Sequence, residues 1–431
     1  MLNLQQVDLR NKRVIVRADL NVAVSDGEVS SDQRIRASLE TIRYALDANA
    51  SVCVLSHLGR PKEGKFEQKY SLAPVRAVLE SLLDQEVGFL SDWIEGIDLR
   101  PGQAALCENV RFLQGETQGS DALSRQMAQS CDVFVMDAFA TAHRNHASTC
   151  GIVKHVPVAC AGALLQREID SLDQALENPK SPVVSIVGGA KVEGKLQIIE
   201  NLCKISESMI VGGGIANTFL TAVGKPIGNS LHEPRLVEQA KAIVQTAKRH
   251  RCNMPLPVDA IVGADYDADG AGHPADDDSH PKEWSEGELP DGVYRTPFCQ
   301  PYTRTAEKNV AEVCNGDKIL DIGPTTAENY ARLLAEAGTI IWNGPVGAFE
   351  HEPFAHGTGM VAKAVAQSRA YSVAGGGDTI AALERFDCME SISYVSTGGG
   401  AFLEYVQGAA LPAIEALQQH QIGFENRKLA G

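Results

Sequence analysis

In the first half of the chain, basic and amide side chains gather where short apolar runs end. Arg17, Asp19 and Asn21 close RVIVR (13–17) and its exit, and Arg34 opens the helical stretch that follows. His57 and Arg60 come after SVCVLS (51–56), Arg111 after AALCENV (104–110), and His143, Arg144 and His146 after DVFVMDA (132–138). A guanidinium fork matches carboxylate or phosphate oxygens bidentately, so several exits that each deliver Arg or His point to a small, multiply anionic ligand. The plainer alternative is a structural ion-pair network with Asp19, Asp137 and Glu108, because such networks mimic sites.

The second half ends its apolar runs in glycine instead: GGAKVEGK (188–195), GGG (212–214), NGPVG (343–347), GGGDT (375–379) and TGGG (397–400). Glycine lets backbone N–H groups approach phosphate, and a following helix adds its positive N-terminal end. One such loop is weak evidence; the set reads as a nucleotide platform. Two standard motifs nearly match. Gly189 to Lys195 fits GxxxxGK, but Leu196 stands where a phosphate loop needs Ser or Thr for magnesium, which argues against a P-loop NTPase. Gly212-Gly213-Gly214-Ile215-Ala216-Asn217 lacks the last glycine of GxGxxG, and TGGGAFLE fails similarly, which argues against an NAD-dependent dehydrogenase. A non-catalytic anion-binding module would be expected to have lost Lys195, Asp378 or Arg34, and all three are present.

The elements that must position these residues alternate. Unbroken apolar runs, as in strands buried on both faces, also include VVSIVGG (183–189), MIVGGG (209–214), PLPVDAIV (255–262), KILDIG (318–323), TIIWNG (339–344), YSVAGGG (371–377) and SYVSTGGG (393–400). Helical stretches separate many of them; one runs from Asp32 to Ala50 with Ile35, Leu39, Ile42, Tyr44 and Leu46 on one side. The runs are too many for one sheet, so the pattern predicts an α/β protein of two doubly wound parallel-sheet domains joined by a helix, with a cleft between them. The expected divisions are 1–165, a linker helix at 166–182 closed by Asn178-Pro179, 183–405, and a tail at 406–431.

At 431 residues the chain is long enough for such a pair, and its 44% hydrophobic and 22% charged residues are those of a globular protein. Lys and Arg total 39 against 55 Asp and Glu, a net charge of -16, which opposes general nucleic-acid or anionic-membrane binding. No apolar run approaches the ~18 residues of a membrane span. The opening MLNLQQVDLRNKRVIV lacks the apolar stretch of a signal peptide, and the 10 cysteines form no CxxC pair, so reduced thiols in the cytoplasm are expected.

Taken together, RADLN (17–21), QRIRASLETI (33–42), LSHLGRP (55–61), ENVRF (108–112), DAFATAHRNHAST (137–149), GGAKVEGKL (188–196), GGGIANTF (212–219), LDIGPTT (320–326), WNGPVGAFE (342–350), GGGDT (375–379) and STGGGAFLE (396–404) resemble the phosphoglycerate kinase family. The resemblance runs in order from about residue 5 to about 410 and fails only across 264–316. It implies a glycolytic kinase that catalyses ATP + 3-phosphoglycerate ⇌ ADP + 1,3-bisphosphoglycerate with Mg2+; a monomer is expected, and the acidic charge balance leaves no nucleic-acid or membrane partner expected. By position it places the acid substrate on Asp19, Asn21, Arg34, His57, Arg60, Arg111 and Arg144. The nucleotide falls on Lys191, Lys195, Gly213, Gly214, Asn343, Glu350, Gly376, Gly377, Asp378 and Thr379, with Asp378 as the magnesium ligand. Arg34 and Lys195 would flank the moving phosphoryl, with the helix N-termini at Gly376 and Gly399 adding positive charge, and domain closure would exclude water. The chain departs from the family at Leu20, Ala140 and Gly194; the first two read as packing changes, and the third frees the loop that carries Lys195.

The segment 264–303 breaks the alternation, being rich in Asp, Gly and Pro, and reads as an exposed acidic surface loop. Asp265, Asp267, Asp269, Gly270 and Asp276 mimic a calcium loop, but Pro274 falls inside it, no helices flank it and no Glu closes it.

Overall fold

The computed structural model describes residues 1–25, 27–264 and 304–430, so the acidic insert and its calcium-like spacing lie outside the described residues. Two compact units divide the chain. One holds Met1–Asp170 together with the residues from Ala409 on, and the other takes most of Ser171–Gly408.

The first unit is built on six parallel strands in the order Val87–Leu90, Ala104–Cys107, Ser51–Leu55, Arg13–Ala18, Val133–Asp137 and Val158–Ala161. The central strands are buried along their length because helices cover both faces, which is why their sequences do not alternate. The helix Gln33–Asp47 buries Ile35, Leu39, Ile42 and Ala45, a 4-3-3 spacing that stays on one face. Tyr44, expected on that face, falls out of step and is 40% exposed. The chain adds strands on one side of Arg13–Ala18 and then returns to place Val133–Asp137 on the other. Ligands of open α/β sheets collect outside the strand ends at such a reversal.

The second unit holds five parallel strands in the order Ser208–Val211, Val183–Val187, Thr339–Asn343, Tyr371–Gly375 and Tyr394–Ser396. Its reversal lies between Val183–Val187 and Thr339–Asn343, whose exits are the loops at Gly188 and Gly344. Two expected members of this sheet belong elsewhere. Asp259–Ala264 and Asp317–Ile322 join Arg304–Asn309 in a separate three-stranded antiparallel sheet. Its core uses Leu220, Ile227, Ala260, Val262, Val310 and Val313, while Ile261 is only half-buried. An antiparallel sheet can leave one face wet, so the polar RTAEKN (304–309) serves as an edge strand that no apolar run announced.

The helix Ala163–Leu176 runs through the division at Asp170. It begins earlier and ends sooner than the 166–182 expected. Its first turn is held by the Asp137 carboxylate, which accepts from Leu165 N, and by the Thr41 hydroxyl, which accepts from Ala163 N.

Candidate active site

The cations of the first unit converge. Arg111 is pushed down to about 10 by burial, then by Arg144 and Arg17, and Arg60 also lowers it. Arg144 is lowered by burial and by Arg60, and partly restored by Asp19. His57 is held well below the usual imidazole range, first by burial and then by Arg17, Arg111, Arg144 and Arg34. These groups depress one another because guanidinium charges crowd one place with few carboxylates among them; an incoming polyanion relieves that repulsion. Arg34 pairs with Asp19, which is nearly buried.

The loop after Ser51–Leu55 is pinned from two sides. The Asn21 side chain accepts from Gly59 N at 2.9 Å, and Arg111 donates to the Gly59 carbonyl. Gly59 has φ +56, and a Cβ there would stand 2.3 Å from the Tyr70 ring. Asn109 locks the same turn by donating to the carbonyls of Leu58 and Tyr70 and accepting from Arg111 N. Asn21, Arg34, His57, Arg60, Arg111 and Arg144 thus occupy one neighbourhood. Of the rival network only the Asp19 pair with Arg34 forms. Glu108 accepts from Ser71 and Leu72, and Asp137 caps a helix, so neither neutralises the cluster.

In the second unit Lys195 opens the helix Lys195–Leu202 and donates to the Gly188 carbonyl at 2.9 Å. Burial lowers it to about 8, and Asp378 works against that shift. Asp378 lies exposed in the first turn of the helix Gly377–Arg385, whose N-cap Gly376 has φ +99. A Cβ on Gly376 would come 2.6 Å from Asn343 Nδ2, and that nitrogen donates to the Gly375 carbonyl, leaving the buried Asn343 Oδ1 unpartnered. The Thr379 hydroxyl is committed to backbone, accepting from Gly344 N and donating to Gly375 O. Gly213, at φ +62, and Gly214 pack against the backbone at Gly189 and Ala190, where a side chain would collide. Gly399 caps the helix Gly400–Val406. Lys191 and Glu350 are exposed, and no hydrogen bond ties them to this group among the described residues.

The sequence reading grouped Arg17 with the exit cations but did not give its depth. Arg17 is not at the surface of the cluster but buried beneath it, bound to Ser148 and facing Glu116. A small, mostly apolar pocket in the second unit is lined by Ala216, Asn217, Leu220, Ile319, Leu320 and Val346. Asp321, which also lines it, is buried and raised to about 7 by that burial, while accepting from Gly357 N and Ile322 N. Asp321 lies inside the apolar run KILDIG (318–323), where nothing marks its site as different from core.

A guanidinium cluster at one sheet reversal and glycine loops around a lysine at the other define an α/β enzyme of the kinase class. The sequence model described as Phosphoglycerate kinase matches residues 4–409. A phosphoglycerate kinase of Francisella philomiragia is 49% identical over 418 residues, covering 97% of this chain and 98% of the relative. One from Legionella pneumophila is 48% identical over 419 residues with the same coverage. The solved structure of phosphoglycerate kinase from Coxiella burnetii, 46% identical, matches with a TM-score of 0.86 over 97% of this chain and 99% of that one. That from Pyrococcus horikoshii, 31% identical, gives 0.75 over 98% and 99%. The chain belongs to the phosphoglycerate kinase family. It is a kinase, not a P-loop NTPase or a dehydrogenase, and no helix among its described residues is long and apolar enough to cross a membrane.

Proposed function

We propose that this kinase catalyses ATP + 3-phosphoglycerate ⇌ ADP + 1,3-bisphosphoglycerate. The observation that carries the reading is the set of mutually repelling guanidinium groups at Arg17, Arg60, Arg111 and Arg144, with Arg34 beside the same His57, which calls for a ligand of several negative charges. A phosphate ester with a carboxylate answers that demand. The acceptor carboxylate is ionised at neutral pH, so no general base is required, and catalysis reduces to positioning and charge neutralisation. Arg34, Arg60, Arg111 and Arg144 hold and orient the acid, while Asp19 keeps Arg34 in place. Asn21 acts through the Gly59 turn.

Lys195 and the N–H groups at Gly376 to Thr379 hold the nucleotide phosphates, with Gly213, Gly214 and Asn343 shaping the floor. Among the described residues no cluster of three or more His, Cys, Asp or Glu is arranged to hold a metal ion. Magnesium would be carried in on the nucleotide phosphates, to which Asp378 would add one exposed carboxylate. When bound, the ion supplies charge neutralisation on the phosphates. Arg34 and Lys195 lie in different units, so turnover requires closure of the units, which also excludes water from the acyl phosphate. The enzyme works as a cytoplasmic monomer on these small molecules alone. A coupled assay with 3-phosphoglycerate and ATP, with and without chelator, tests the reading. No 3-phosphoglycerate-dependent ADP formation by the purified protein would overturn it.

A further inference from the structure

Beneath the arginine cluster runs a chain of buried side chains that the reaction itself does not call for. Glu116 is fully buried; its Oε1 accepts from the Ser148 hydroxyl at 2.5 Å and its Oε2 from Ser148 N at 2.9 Å. The Ser148 oxygen in turn accepts from Arg17 Nε at 3.0 Å. Arg17 is 1% exposed, spends Nη1 on the Ala18 carbonyl, and brings Nη2 within 3.4 Å of His57 Nδ1.

The direction of each bond is forced. A guanidinium has donors only, so His57 Nδ1 must be the accepting nitrogen. With its lone pair there, the ring's proton sits on Nε2. The Ser148 oxygen already accepts from Arg17, so its own hydrogen goes to Glu116, which is what the geometry places there. The opposite tautomer would press an Nδ1–H against a group that cannot accept, in a site where His57 is only 5% exposed. Among the described residues His57 Nε2 has no hydrogen-bond partner.

We propose that Glu116, Ser148 and Arg17 form a buried positioning relay that holds His57 as its Nε2–H tautomer, leaving a neutral donor open to an anionic ligand. Without the relay the ring is free to present a lone pair to the ligand, and a lone pair repels carboxylate and phosphate oxygens. The inference rests on the reading of this neighbourhood as the acid site. Arg17 is then a support for His57 rather than a ligand to substrate.

The test is long-range 1H–15N correlation NMR on full-length protein labelled at histidine nitrogens, with His57 assigned by difference from His57→Gln. Without ligand, the expected spectrum shows His57 Nδ1 unprotonated and Nε2 protonated from pH 6 to 8. In Ser148→Ala the two tautomers should mix. The KM for 3-phosphoglycerate should rise about tenfold with a smaller fall in kcat and an unchanged KM for ATP, and Ser148→Thr should restore both readings. A protonated Nδ1 in the parent overturns the relay whether or not the variant folds. So does a folded Ser148→Ala with parental His57 signals and KM. If added 3-phosphoglycerate leaves the His57 signals unmoved, the reading of the acid site fails instead.

Discussion

Lys195 Nζ donates to the carbonyl oxygen of Gly188 at 2.9 Å, so the ammonium sits at the exit of one central strand. It also lies 3.1 Å from where a Cβ on Gly344 would stand, at the exit of the neighbouring strand. The lysine thus occupies the sheet reversal, and the glycines on either side make room for it.

Replacing Lys195 by Met should remove at least ~10^3-fold of turnover, the scale of losing one preorganised charge, while 3-phosphoglycerate binding survives. Calorimetry checks this; a variant that kept nucleotide and lost the acid would reverse the roles given to the two units. Polyphosphate favours the ammonium, so nucleotide binding near pH 8 should take up protons, seen as a dependence on buffer ionisation enthalpy. The folded value, about 8, lies below the usual lysine value of 10.5, so the folded state holds fewer protons across that window. Burying Lys195 therefore costs stability at pH 7, and the cost fades as pH climbs from about 8 to 10.5. The Met variant should melt higher than the parent at pH 7, with the gap closing toward pH 10.

For Arg34→Ala, turnover should fall by about 10^2- to 10^4-fold while Tm moves by no more than ~3 °C. The Arg34 side chain is 37% exposed and its pair with Asp19 is a partly solvated one. Near-normal turnover in the folded variant would remove Arg34 from the chemistry.

Gly59→Ala probes the turn that Asn21 and Arg111 share. The added methyl meets the Tyr70 ring at a backbone angle L-residues avoid, a cost of about 1–3 kcal/mol. Weaker 3-phosphoglycerate binding with unchanged ATP affinity is the expected pattern. Equal losses in both would show that the turn supports the whole fold rather than this loop.

The strand architecture was legible because buried parallel strands write themselves as unbroken Val and Ile runs, and the arginines were legible because they interrupt the polar exits of those runs. Depth was not. Arg17 and Arg34 look alike in sequence, yet one lies under the cluster and the other on it, since burial depends on neighbours such as Ser148 that arrive from over a hundred residues away. The antiparallel sheet was missed for a related reason. Asp259–Ala264 is apolar enough to pass for a parallel strand, and only its pairing with the polar Arg304–Asn309 shows otherwise.

That pairing also bears on the acidic insert. Ala264 and Arg304 are register partners, so the insert leaves and re-enters at neighbouring positions of a hairpin. A short Gly-Ser link can close the same gap, and closure entropy changes only logarithmically with length. Turnover of the shortened protein should stay within a few-fold of the parent. A calcium-dependent melting shift in the full chain that vanishes on deletion would show that the insert binds the ion.

Closure is open to scattering. ATP and 3-phosphoglycerate together should reduce the radius of gyration while either alone does less. Identical curves with and without both substrates would argue against it.

The last helix, Pro412–Ala430, carries a consequence for how the molecule is made. It lies against the strand Val158–Ala161, where His420 accepts from Ala159 N and donates to the Val153 carbonyl. The unit that leaves the ribosome first is therefore completed last, by residues that emerge only after the second unit. The second unit begins at Ser171 and reaches Gly408, so it has all its parts while the first still waits for its closing piece. Domains usually fold in the order of synthesis. Here the order of emergence and the order of completion run opposite ways: a chain released only as far as Gly408 would display a finished second unit beside an open-ended first one.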